Sequence, residues 1–172
     1  MDFYDLKFSL HGKEYIFSTG KLAKQADGAV TVQCGGTVVL VTAVAQKTPR
    51  EGVDFLPLTV DVDEKMYAAG KIPGGFYRRE GRPSEAATLT ARLIDRPLRP
   101  TFPKGFNHET HIMATILSVD QINPPDVLAL NGASLALIIS GIPFSQPVAA
   151  VRLGRTAAGW LINPTYSELD ES

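Results

Sequence analysis

Apolar and polar residues alternate over residues 3–10 and again over 14–17, with His11-Gly12 between the two runs, so the chain should open on a β-hairpin. Residues 29–34 and 37–45 repeat the signal across Gly35-Gly36. The second of these runs, TVVLVTAVA, is apolar enough to predict a central, buried strand. Residues 56–63 predict one more strand, with Leu56, Leu58, Val60 and Val62 on one face and Thr59, Asp61 and Asp63 on the other.

After a Gly/Pro-rich stretch the period changes to that of a helix. Ser84 fits an N-cap, Glu85 suits the positive end of the helix dipole, and Pro97 should stop the helix at about Arg96. On a helical wheel Ala86, Leu89, Thr90, Leu93 and Ile94 form the expected core stripe, with Glu85, Arg92 and Arg96 on a neighbouring face. Residues 111–119 predict a strand, 124–140 a buried helix opened by Asn123-Pro124, and 148–155 with 159–162 a final hairpin. Residues 165–172 look like the first turns of a further helix that then stops, which suggests a piece of something longer. Strands first, then helices interleaved with strands, predict an α+β domain with a mixed sheet.

Composition narrows the class. At 44% hydrophobic and 20% charged residues, the 172-residue chain reads as one ordinary globular domain over residues 1–172. The single cysteine, Cys34, excludes an internal disulfide framework and a Cys-rich zinc site, and suits a reducing cytoplasm. The N-terminus lacks the basic region of a signal peptide. The most apolar stretch, residues 127–139, is too short for a membrane span and is interrupted by Asn131, Gly132 and Ser134. A cytoplasmic protein without membrane contact is the resulting expectation.

Charge changes the picture more. Six of the nine arginines fall within residues 74–103, GGFYRREGRPSEAATLTARLIDRPLRPTFP. Residues 71–104 carry eight basic groups against Glu80, Glu85 and Asp95, a net of +5, while the rest of the chain sums to −6. Charge segregated in this way points to a polyanionic partner. Phe76 and Tyr77 follow two glycines and precede Arg78 and Arg79, so one loop can offer two π-faces and two guanidinium forks to single-stranded nucleic acid. The competing reading tucks the aromatics into the core and pairs the arginines with Glu80 and Glu85. Arg82, just before a helix N-terminus, could reinforce an anion site. Arg92, Arg96 and Arg99 could extend that site or could pair with Glu85 and Asp95.

Catalytic chemistry finds less support. His108 and His111 are spaced by three, not by the four of a helical metal motif. Asp61 and Asp63 with Glu64 could hold Mg²⁺ but fit a solvated strand end better. Cys34 has no activating histidine beside it. The residues alone therefore give a binding segment, with no catalytic residue and no metal ligand.

The arginine segment also carries a resemblance. AAGKIPGGFYRREGRPSE followed by RLIDRPLRPTFP resembles the bacterial polynucleotide phosphorylase family, whose first ribonuclease PH-like domain has FFRREGRPSE and RLIDRPLRPLFP; single-domain ribonuclease PH has GRTQE instead. QADGAVTVQCGGTVVLVTAV, NPPDVLALNGASLALIISGIPF and GWLINPT are similar to further family segments, so the likeness spans essentially the whole chain. It implies a ribonuclease PH-like, ribosomal protein S5 domain 2-like fold, cut short at its C-terminal end. It further implies a trimeric enzyme that degrades RNA from the 3′ end with inorganic phosphate and Mg²⁺, within reach of RNA-degradation-complex partners. The family's second core domain, its KH module and its oligonucleotide-binding-fold module would lie outside this chain, and with them the phosphate and Mg²⁺ sites. A fragment inactive alone follows, contributing single-stranded RNA guidance through Phe76, Tyr77, Arg78 and Arg79, with Arg82 and Arg99 in support. A self-sufficient ribonuclease PH-like enzyme and a non-catalytic RNA-binding domain are the alternatives.

Overall fold

The structure, a computed structural model, describes residues 2–157 and 159–170. Six strands form one sheet: β1 (Tyr4–Leu10), β2 (Lys13–Thr19), β3 (Gly28–Cys34), β4 (Thr37–Pro49), β5 (Leu58–Glu64) and β6 (His108–Ser118), in the order β1-β2-β3-β4-β6-β5. Every neighbouring pair is antiparallel except β5 and β6, which run parallel. A parallel pair needs a long crossover. Here the crossover carries a 3-10 turn (Met66–Ala69), the arginine-rich loop and helix α1 (Glu85–Leu98), so the segment of greatest functional interest is the link between two edge-side strands. The mixed sheet and packed helices agree with the α+β expectation.

Helix α2 (Pro125–Ser140) is apolar on nearly all sides, as a helix enclosed on more than one face must be. Its backbone lies close to β3 and β4: a Cβ built on Gly132 would stand 2.7 Å from Val41 Cγ2, and one built on Gly28 only 2.0 Å from the Ala136 carbonyl oxygen. Val30, Val32, Val39, Val41, Ala133 and Leu137 fill the core between them.

Two expectations are corrected. Helix α1 runs through Pro97 to Leu98, because Leu98, fully buried four residues after Ile94, continues the core stripe and outweighs the one hydrogen bond that Pro97 cannot make. The buried face itself is Ala87, Ile94 and Leu98, while Leu89 and Leu93 remain 56% and 44% exposed. The second correction is at the final hairpin, where only β7 (Leu153–Thr156) and β8 (Gly159–Ile162) pair. Residues 148–150 instead bind α2 side chains: Val148 N–H donates to Ser134 Oγ (2.8 Å), and the Asn131 amide both accepts from Ala150 N–H (2.8 Å) and donates to its carbonyl (2.9 Å). The polar residues that interrupt α2 are thus its attachment points. Thr165 caps the short α3 (Tyr166–Asp170), whose Glu168 carboxylate accepts from Thr165 N–H at 2.7 Å. The expected helix beyond Asp170 lies outside the described residues.

The turn between β3 and β4 is held by Asp120. Its carboxylate accepts from Gly36 N–H (3.0 Å), Thr37 Oγ1 (2.9 Å), the Ile122 and Asn123 N–H groups (2.8 Å each) and Asn123 Nδ2 (2.7 Å). Partial burial alone would raise its pKa, but these donors, led by Asn123 and Ile122, outweigh it and hold the carboxyl well below the usual carboxylate range. The folded state therefore gains stability from the ionised form above the unfolded value of 3.8 and loses it as pH falls below that. Asp120→Asn puts an NH₂ among donors and should cost about 2 kcal/mol at neutral pH. In urea titrations the gap from the parent protein should narrow as the pH is taken below 3.8.

Candidate nucleic-acid interface

Residues 71–81 leave the fold after Gly70, which caps the 3-10 turn in the left-handed region (φ 67°). At the tip Arg78, also left-handed at φ 48°, donates its N–H to the Gly75 carbonyl at 2.9 Å. This tight turn sets the aromatics outward. Phe76 is 96% and Tyr77 78% exposed, and their rings meet edge to face at 5.3 Å between centroids and 87° between planes. The Arg79 guanidinium carbon lies 5.5 Å from the Tyr77 ring centre, within cation–π range. The reading that tucked these rings into the core is not the one the structure adopts. Nor do the arginines neutralise Glu80: among the described residues no ion pair involves Arg78, Arg79 or Arg82.

The other predicted residues are placed differently. Arg82 lies at the start of α1, lining a cleft of about 740 Å³ together with Lys65, Lys71, Glu80 and Ser84. Ser84 caps α1, accepting from Ala87 N–H (2.9 Å), and donates its hydroxyl to Glu64 at 2.6 Å, which ties the helix start to the end of β5. Arg99 stands at the opposite end of α1, roughly 20 Å along the axis. Its guanidinium is committed to the fold, binding both Asp95 oxygens (3.1 and 2.8 Å) and the Leu56 and Leu58 carbonyls (3.1 Å each). Arg92 and Arg96 were open to ion pairing. Asp95 pairs with Arg99 instead, and among the described residues neither Arg92 nor Arg96 enters an ion pair.

The acidic residues of the sheet edge are each engaged. Asp61 meets His111 Nε2 at 2.9 Å and Asp63 meets Lys65 Nζ at 2.5 Å. Among the described residues no three His, Cys, Asp or Glu side chains are gathered as a metal site. His108 and His111, three apart on β6, face opposite sides of the sheet, and His108 Nδ1 is 2.7 Å from the Gln46 carbonyl. Burial, partly offset by a hydrogen bond from Tyr15, pushes the Cys34 thiol up and away from the reactive thiolate.

A parallel-edged mixed sheet carrying an exposed aromatic–arginine loop in its crossover now has a family. The chain belongs to the 3′ exoribonuclease family, whose domain 1 profile matches residues 11–143. Among individual proteins it is 56% identical over 98% of its length to the polyribonucleotide nucleotidyltransferase of Gloeobacter violaceus, and 60% identical over 94% to that of Nitratidesulfovibrio vulgaris. It spans 24% and 21% of those two relatives, about a quarter or less of their length. The crystal structure of rice (Oryza sativa) Rrp46 shares the fold, with a TM-score of 0.67 and 16% identity across 99% of this chain and 71% of that one. No helix among the described residues is long and apolar enough to cross a membrane.

Two contributors escaped the reading of the sequence. Glu80 enters the sequence reading only as a partner for the arginines in the competing alternative, whereas it accepts from the Met66 N–H at 2.9 Å. Glu64 was grouped with the acidic strand end, yet it anchors the cap of α1. The signal that could have found Glu80 is its position as the one acid inside a run of arginines.

Proposed function

We propose that the chain is the first ribonuclease PH-like domain of a phosphorolytic, Mg²⁺-dependent 3′-to-5′ exoribonuclease, and that it guides single-stranded RNA toward an active site formed outside these residues. The observation that carries this reading is the exposed pair Phe76 and Tyr77 with Arg79 stacked on Tyr77 and Arg78 beside it. Every nucleobase has a π-face, so aromatic stacking holds any sequence, and the arginines meet the phosphates on either side. Arg82 continues the cationic path along the cleft. Arg99, although it was grouped with these residues, serves by holding the end of α1 against β5, and any contact with RNA would be through what that helix positions.

Phosphate and Mg²⁺ bind outside this chain in this reading. Asp61 and Asp63, the carboxylates nearest to a metal-binding arrangement, already hold His111 and Lys65, which does not fit a hydrated divalent ion. The same observation disfavours a self-sufficient enzyme. A homotrimer surrounding a channel in the cytoplasm, in contact with other RNA-degrading proteins, completes the proposal.

The test is a phosphorolysis assay on the purified chain with poly(A), inorganic phosphate and Mg²⁺, run beside binding of labelled oligo(A). Binding without release of nucleoside diphosphates is the expected result. Sustained release would replace this reading with that of a self-sufficient phosphorolytic enzyme, and absence of binding would remove the guiding role.

A further inference from the structure

One residue closes the base of the loop from both sides. Met66 accepts a hydrogen bond from the Lys71 N–H through its carbonyl (3.0 Å), and its own N–H donates to the Glu80 carboxylate at 2.9 Å. Lys71 and Glu80 bracket the aromatic–arginine segment, so both of its limbs are pinned to the same residue. Little inside the loop could do this instead. Gly74, Gly75 and Gly81 have open space where a Cβ would stand, and among the described residues the tip is braced by the Arg78-to-Gly75 hydrogen bond and the ring contacts.

A carboxylate at this place also works against the partner, because a negative charge beside the arginines repels a polyanion. Its presence needs a reason of geometry. Resting on the RNA-guiding role proposed above, we infer that Glu80 is a positioning residue for RNA binding: its carboxylate is the acceptor that fixes the second limb of the loop on the Met66 N–H, and it does not serve as a counter-charge to the arginines. The absence of any Glu80–arginine ion pair among the described residues supports the distinction. Glu80 is itself half-buried, whereas the residues from Gly74 to Arg79 are exposed, as an anchor beneath a projecting loop should be.

Glu80→Ala, Glu80→Gln and Phe76→Ala, made singly in the full chain, separate the possibilities. The readouts are binding of labelled oligo(A) and, without RNA, hydrogen exchange at the Met66 amide. Glutamine keeps an acceptor oxygen, so Glu80→Gln should bind within about twofold of the parent and keep the Met66 amide protected. Alanine keeps none; Glu80→Ala should populate the binding-competent loop less, weakening binding about fivefold and speeding Met66 exchange, with the melting temperature unchanged. Tighter binding in both variants would assign Glu80 a purely electrostatic role and overturn the inference. Weakened binding in Phe76→Ala beside parental binding in Glu80→Ala overturns the positioning role alone. Parental binding in Phe76→Ala overturns the RNA assignment of the loop, and the role of Glu80 in binding goes with it.

Discussion

Replacing Phe76 and Arg79 together by alanine should weaken oligo(A) binding roughly 50-fold while leaving the melting temperature unchanged. A base stacked on an aromatic is worth about 1–3 kcal/mol, and the arginine adds a phosphate contact. The two losses are coupled, because Arg79 also lies against Tyr77 and helps to hold that ring in place. Stability should be spared because Phe76 is 96% exposed and contributes nothing to the core. Salt supplies an independent check. Loss of one phosphate contact to a single strand should flatten the slope of log K against log[salt] by about 0.7. Parental affinity with a parental salt slope would mean that RNA, if bound at all, is bound elsewhere.

The largest effect on stability is expected from Gly28→Ala. The added Cβ would stand 2.0 Å from the Ala136 carbonyl oxygen and 2.9 Å from Ser140 Cβ, and the nearer neighbour is helix backbone, which no rotamer change can move. Strand β3 and helix α2 would have to separate by more than about an ångström, opening the core around Val30 and Val32; a cost of roughly 3–5 kcal/mol follows. Gly132→Ala presses only on the methyl groups of Val41 and Val32, at 2.7 and 3.0 Å, and should cost less because side chains can adjust. Urea midpoints of the two variants rank the contacts directly. A Gly28→Ala protein as stable as the parent would mean that α2 does not lie against β3 as closely as described.

Different parts of this molecule were legible in the sequence to different degrees, for physical reasons. The inner strands were readable because of where they lie: β4 is central, so TVVLVTAVA is almost continuously apolar, and β5 turns one face to the core, so Leu58, Val60 and Val62 alternate with polar residues. Helix α1 was found but turned the wrong way. Its apolar residues occupy two sides, and only tertiary contact decides that Ala87, Ile94 and Leu98 go in while Leu89 and Leu93 stay out. Asp120 could not have been found, since Thr37 and Gly36 lie 83 and 84 residues away in sequence. The aromatic–arginine segment is visible in the sequence as a concentration of charge and π-surface. Whether it pointed outward could not be known from residue types that serve equally well in a tucked, ion-paired loop. The role of Glu80 was not legible because charge is visible in a sequence, whereas the need of a distant backbone N–H for an acceptor is not.

The closure of the loop on Met66 also bears on how such a surface can change over generations. Since Lys71 and Glu80 meet at one residue, the segment between them departs from and returns to a single point, and its length is uncoupled from the spacing of β5 and α1. Insertions, deletions or wholesale replacement between these two anchors would leave the scaffold undisturbed. The fold thus carries its recognition element as an exchangeable cassette, which can be shortened or grafted onto another member of the fold without redesigning either host.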